Sequence, residues 1–359
     1  MSETNLKSLN LNNRIAILDG FRALAILSVI FYHYFYRWNN PVTPYEGAEF
    51  FHYGFRGVPF FFMISGFVIC YSLEGTESRI VFWKKRFIRL FPSMFIASVL
   101  TFVFLSLFDK TKMFEDSNQI HNLITSITFL PPNVYDLLFG TRNYFSYINF
   151  SYWSLWPEIQ FYFLASTIYF LDKISFKRNF IIVCITLMLL YNTILFFNLN
   201  QIKFLEKAIN LFNLIKHLSF FLSGALFYML YRKSNHYVYL LFLLFAYLSA
   251  NLSLSIPELI ATAIMFGLFF CFIYCPGILI IFKNKILAAI GFSSYFLYLI
   301  HENIGVVWIL KIVPFFRSNS FIAPVLIIIF MTLFSVFYTN TIESKIIKYL
   351  NKTLLKKKI

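Results

Sequence analysis

The sequence predicts an all-α, polytopic membrane protein of about ten transmembrane helices, on three observations. Of its 359 residues, 59% are hydrophobic and only 13% charged, whereas soluble domains carry roughly 25% charged residues. Mean hydropathy is +0.69, and 49 Phe with 23 Tyr exceed what a soluble surface can hide. Ten apolar stretches are each long enough to approach the roughly 20 residues that a spanning helix needs. The same numbers exclude intrinsic disorder and collagen-like repeats.

In chain order the stretches are 16–36, 55–73, 90–108, 152–171, 179–198, 213–231, 237–255, 258–282, 286–310 and 321–342. Pro157 interrupts the fourth. Residues 109–151 form the longest connection with polar content. No internal repeat appears, so residues 1–359 are expected to form one integral membrane domain without an appended soluble domain. A short segment, 1–15, precedes it and a basic tail, 343–359, closes it. The opening MSETNLKSLNLNNR is polar, and no small-residue cleavage pattern follows the first apolar run, which therefore reads as a retained span.

The net charge of +15 raises the question of nucleic acid, but the cations cluster between apolar runs, where the positive-inside rule places them. With the N-terminus inside, 20 of the 31 Lys and Arg fall in inside segments and nine in outside segments. That asymmetry favours an even number of spans with both termini cytoplasmic. The four cysteines (Cys70, Cys184, Cys271 and Cys275) lie in apolar runs without a His cluster, so core packing is expected and a metal is not.

Ionisable side chains inside spans cost about 2.5–3.5 kcal/mol each on insertion scales, so each asks for a reason. Span 1, ILDGFRALAILSVIFYHYF, carries Asp19, Arg22 and His33. Arg22 and His33 are eleven residues apart, which places them on one helical face with a rise of roughly 16 Å between them. Asp19 is three residues before Arg22 and can pair with it. The competing reading is an interfacial ion pair and a snorkelling His.

In RIVFWKKRFIRLFP, ahead of span 3, Arg86 and Arg89 share a face. Their forked guanidiniums suit phosphate oxygens, although positive-inside charge explains the cluster almost as well. Span 4 opens SYWSLWPEIQFYF, where Glu158 has Ser151, Ser154 and Tyr162 near its face. Its carboxylate suits a sugar hydroxyl or a base role, or simply a helix N-terminus next to Pro157. Trp153 and Trp156 suit either a sugar platform or the interfacial belt. In SSYFLYLIH of span 9, Ser294, Tyr298 and His301 recur at i, i+4 and i+7, a polar stripe that also serves as interhelical glue. No GxSxG, HExxH or glycine-rich phosphate loop is present.

Taken together, LDGFRALAILSVIFYH, FFFMISGFVI, RFIRLFP, WSLWPEIQFYF and SSYFLYLIH resemble, in order and spacing, the acyltransferase-3 family of integral membrane O-acyltransferases. The resemblance covers nearly the whole chain. It implies an acyl-CoA donor, commonly acetyl-CoA, on the cytoplasmic side of a bacterial inner membrane. The acceptor it implies is a hydroxyl on a cell-surface glycan or lipid-linked saccharide such as O-antigen, capsule or exopolysaccharide. It also implies catalytic roles for Arg22 and His33, which have ten residues between them, and for Glu158. Arg86 and Arg89 would then hold CoA phosphates, while Asp19, Trp153, Tyr298 and His301 are candidates for substrate contact. His33 would be a general base or a transient acyl carrier. Two departures stand out: Pro157 replaces a small or aliphatic residue, and the closing Ile-Glu-x-Pro element reads IESK, with Lys345 in place of proline. Rival readings are a transporter or flippase for a lipid-linked glycan, which would favour paired broken helices, and a polysaccharide polymerase.

Overall fold

The structure, a computed structural model, describes residues 15–38, 48–232, 237–252, 255–316 and 321–355. The opening segment 1–14 lies outside them, as do Lys7, Arg14, Lys233, Arg317 and the tail cations Lys356, Lys357 and Lys358. Every regular element among the described residues is helical, as lipid requires, because a helix satisfies its own backbone hydrogen bonds.

The chain runs α1 (Ala16–Tyr32), α2 (Gly57–Glu74), α3 (Arg79–Phe108), α4 (Ile120–Ile127), α5 (Pro132–Phe139), α6 (Leu155–Leu171) and α7 (Phe176–Phe196). It continues through α8 (Lys203–Leu211), α9 (Leu214–Tyr231), α10 (Tyr237–Ala250), α11 (Ile256–Tyr274), α12 (Lys285–Ile312), α13 (Ile322–Tyr338) and α14 (Ser344–Leu354). Eight helical segments are long and apolar enough to cross a membrane. The other two predicted spans correspond to α6, of 17 residues, and α10, of 14.

Three boundaries differ from the sequence expectation. Helix α3 begins at Arg79 and runs 30 residues straight through Pro92, so the basic segment is part of the span rather than its approach. An interior proline removes one backbone hydrogen bond. Pro92 is buried in the bundle, and two residues before it the Tyr295 hydroxyl of α12 donates to the Leu90 carbonyl at 3.2 Å, tying α12 to this stretch of α3. Helix α11 stops at Tyr274, before Pro276, which leaves Cys275 exposed rather than in the core, while Cys70 and Cys184 are buried. Pro157 falls in the first turn of α6, where its missing N–H costs no hydrogen bond.

Two close helix pairs organise the bundle. At the α2–α9 crossing, a Cβ on Gly66 would collide with the Phe221 carbonyl and one on Gly224 with the Met63 carbonyl, so backbones meet at the small residues typical of membrane interfaces. On the other side α1 lies along α12, where Gly291 admits the Asp19 backbone and Gly305 admits the Tyr34 ring.

One end of the bundle gathers the start of α1, the α2–α3 turn and α14, which folds back so that Lys84 Nζ donates to the Leu354 carbonyl at 3.1 Å. At the opposite end, the 109–154 connection forms a cap. Asp109 closes the end of α3 by accepting from the Phe114 amide at 2.9 Å and the Met113 amide at 3.2 Å. Desolvation is the largest single influence on the Asp136 carboxyl and raises it, but hydrogen bonds from Thr141 Oγ1 at 2.6 Å, the Tyr144 amide at 3.1 Å and neighbouring amides together hold it below its usual range. The cap is tied to α12: Asn149 Nδ2 donates to the Leu299 carbonyl (3.1 Å) and Asn303 Nδ2 to Ser117 Oγ (2.9 Å).

Candidate active site

Two cavities in line occupy the space between α1, α2, α3, α6 and α12. The larger, about 440 Å³, lies at the α14 end, bounded by Ile15, Lys85, Ile347 and Asn351, with Asp19 and Glu343 in its wall. The second, about 90 Å³, reaches deeper, past Ser65, Arg86, Glu158 and Tyr162 to Ser154 and Tyr298. Arg22, Val68, Arg89 and Tyr295 line both and so form the neck between them.

Several of the charged groups around this neck have close partners. Arg22 Nη1 lies 2.8 Å from Asp19 Oδ1, the pairing that their spacing predicts. In the deeper cavity Glu158 Oε1 accepts from Ser65 Oγ at 2.8 Å and from the Tyr162 hydroxyl. The Arg86 guanidinium stands over the Tyr162 ring at 5.9 Å and donates to Ser72 Oγ at 3.0 Å. Glu343, of the IESK element, is buried and accepts from Ser93 Oγ at 2.8 Å. One carboxylate, Glu158, and three guanidiniums, of Arg22, Arg86 and Arg89, thus line the deeper cavity.

Tyr298 closes the far end. Its hydroxyl donates to the Ser151 carbonyl at 2.8 Å and meets Ser154 Oγ at 2.8 Å. Behind it His301 sits with ring centroids 5.5 Å apart. His301 Nδ1 donates to the Tyr298 carbonyl at 2.7 Å, and its Nε2 faces His33 Nδ1 at 3.1 Å. The rings cross edge-on, with centroids 4.9 Å apart. His33 stands where α1 passes into a π-turn, His33–Arg37, a rare widening that often marks functional sites. His33 Nε2 then meets Glu302 Oε1 at 3.3 Å, which also lies 3.4 Å from Arg37 Nε and accepts from Trp38 Nε1 at 3.3 Å.

The predicted residues therefore fall into two neighbouring groups. Asp19, Arg22, Arg86, Arg89, Glu158 and Tyr298 line the cavities, while His33 and His301 lie together just beyond Tyr298. Trp153 is in neither wall; its ring packs 5.4 Å from His217 and 6.5 Å from Phe62. Glu302 is the residue that sequence reasoning passed over. It is fully buried, follows His301 directly and lies four residues after Tyr298, hence on the same polar stripe. Among the described residues, no group of three or more His, Cys, Asp or Glu is placed to hold a metal ion.

A helical membrane bundle with two joined internal cavities, forked arginines at their neck and a buried imidazole pair behind Tyr298 has the parts of an integral membrane transferase. The chain belongs to the acyltransferase-3 family, whose profile, described as an acyltransferase domain, matches residues 15–340. Among curated proteins it is similar to peptidoglycan O-acetyltransferase OatA of Listeria monocytogenes, 30% identical over 156 residues, which is 40% of this chain and 22% of that protein. It is also 31% identical over 156 residues to YrhL of Bacillus subtilis, provisionally named a peptidoglycan O-acetyltransferase, again over 40% of this chain and 22% of that one. A third relative, provisionally named an O-acetyltransferase, from Staphylococcus aureus (strain COL), is 28% identical over 176 residues, 45% of this chain and 26% of its own. The matched stretches thus span about a quarter of these relatives' length. No solved structure matches.

Proposed function

We propose that this chain transfers an acetyl group from acetyl-CoA to a hydroxyl of a cell-surface glycan across a bacterial cytoplasmic membrane. The observation that carries the reading is the pair of cavities joined at Arg22 and Arg89, running from the α14 end to Tyr298, with the His301–His33 pair packed behind that tyrosine. In this reading both termini and the α14 end are cytoplasmic, as the cation asymmetry favours. CoA enters there, its phosphates meeting Lys85 and Arg89 and its acyl-thioester arm extending past Arg22 and Arg86 toward Tyr298.

The chemistry follows from what the residues can do. A sugar hydroxyl is a weak nucleophile at neutral pH and attacks a thioester well only if a base takes its proton. His33 is that base: as the hydroxyl oxygen bonds to the acyl carbon, its proton passes to the imidazole. The carbon–sulfur bond then breaks, and the proton leaves with the CoA thiol. Arg22 and Arg86 offer fixed positive charge to the developing oxyanion, the kind of preorganised stabilisation that water cannot supply. Glu158, held by Ser65 and Tyr162, positions the thioester arm or Arg86. The peptidoglycan assignment of the Listeria relative makes a peptidoglycan-type glycan the first acceptor to test.

Purified protein in nanodiscs, given labelled acetyl-CoA and muropeptide or oligosaccharide acceptors, tests this directly. Thiol release matched by alkali-labile acetyl on the sugar is the expected result. Movement of a lipid-linked glycan without ester formation would point to a flippase instead.

A further inference from the structure

We infer that helices α4 and α5 of the cap lie in the bilayer surface opposite the α14 end, with their apolar sides turned into the lipid. This contact is independent of the transfer chemistry. It follows from a helix that is inside out. In α4, Asn122, Thr125 and Ser126 are buried, whereas Ile120 and Ile124 are 58% and 61% exposed. At roughly 100° per residue, the three polar positions share an arc of about 100° and the two isoleucines one of about 40° on the other side. A helix covering a cap that stands in water would show the reverse order.

The polar side faces inward for a structural reason. Asn122 Oδ1 accepts from the Ser146 amide at 2.8 Å, its Nδ2 donates to the Asp116 carbonyl at 3.0 Å, and Ser126 Oγ accepts from the Ile148 amide at 3.0 Å. These bonds hold the segment that runs on to Ser151 and Ser154, the partners of the Tyr298 hydroxyl. The apolar side is left to what surrounds the cap. Helix α5 adds to it: none of its residues is buried, and Leu137, Leu138 and Phe139 are 68% to 75% exposed. The Phe145 ring joins the two helices, with centroids 5.7 Å from His121, 5.5 Å from Tyr135 and 5.6 Å from Phe139.

Two further observations name the occupant as lipid. The outward side of α4 continues the lipid-facing surface of a span, since Val103, Leu107 and Phe108 are exposed at the end of α3 and α4 packs back against that helix. Charge agrees: residues 109–142 hold three cations and four acids, so apolar contact rather than attraction to anions is what the cap offers. Interfacial helices bury such sides about 5–10 Å into the boundary between headgroups and acyl chains. Helices of eight residues are also marginal in water, and an interface of this kind supports them.

Spin labels on the full-length protein decide the matter. Cys271→Ser and Cys275→Ser leave only the buried Cys70 and Cys184, and a label is then placed at Ile124→Cys or Leu138→Cys. Both side chains are exposed, so neither change disturbs the core. The labelled protein is studied in phosphatidylcholine nanodiscs at high salt, which screens any charge-driven contact. Oxygen, which concentrates in hydrocarbon, should collide with each label more often than a water-soluble nickel chelate does, as it should at Leu189→Cys on the exposed side of α7. The inference is overturned if nickel reaches either label as readily as oxygen, the result for a cap standing in water. It equally falls if neither reagent reaches the labels, the result for a protein partner or a second copy seated on the cap. Ile124 and Leu138 lie on different helices, so if one variant fails to insert the other still decides.

Discussion

Arg22 of α1 and Arg89 of α3 share the neck that joins the two cavities, each lining both. Anything that passes from the α14 end toward Tyr298 has to pass between them. A charge-assisted hydrogen bond is worth about 1.5–3 kcal/mol, so Arg89→Ala is expected to raise the KM for acetyl-CoA roughly 10- to 100-fold while changing kcat less. Arg89→Lys should recover only part, because an ammonium lacks the guanidinium fork. Arg22→Ala should cost stability as well, since it leaves buried Asp19 without the cation 2.8 Å away. Steady-state kinetics over a range of acetyl-CoA concentrations check this. An unchanged KM for Arg89→Ala would return the residue to a topology-setting charge.

The α2–α9 crossing makes a separate prediction about assembly. Gly224 meets the Met63 carbonyl with no room for a Cβ, and Gly66 meets Phe221 in the same way. Gly224→Val should force the helices apart and destabilise the fold by about 1–3 kcal/mol or more, the usual scale of overpacking. Thermal unfolding in detergent reads this out. Gly267→Val is the control, because a Cβ there meets nothing within 4 Å.

Orientation is tested by reporter fusions. Fusions after Leu354 should report the cytoplasm, and insertions in the 141–147 loop should report the outside. If the loop reports cytoplasmic, CoA would have to enter at the cap end, and the role given to Arg89 would fail.

Much of this arrangement is legible in the sequence, for identifiable reasons. A span that keeps Asp19, Arg22 and His33 despite their insertion cost marks a polar face, and helical spacing alone pairs Asp19 with Arg22. Arg86, Arg89 and Glu158 are similarly visible as charges in apolar surroundings, and each lines a cavity. The His33–His301 contact is not legible, because it depends on α1 lying along α12 at glycines whose role appears only in three dimensions. Glu302 was readable by the same insertion-cost argument as Glu158, but a stripe built on Ser294, Tyr298 and His301 stops one residue short of it. The start of helix α3 at Arg79 was hidden because the apolar stretch 90–108, which already contains Pro92, begins only where the basic segment ends, and charge density in RIVFWKKRFIR masks the continuity of the helix.

The central claim is that His33 is the base of the reaction, and His33→Gln in the purified protein tests it most directly. Glutamine keeps a hydrogen-bonding side chain of similar reach but cannot take a proton at neutral pH. With insertion and acetyl-CoA binding intact, acetyl transfer to the glycan acceptor should fall by about 10²-fold or more, the scale of a lost general base. Near-normal transfer by His33→Gln would contradict the account and leave the His33–His301–Glu302 cluster as a structural clasp between α1 and α12.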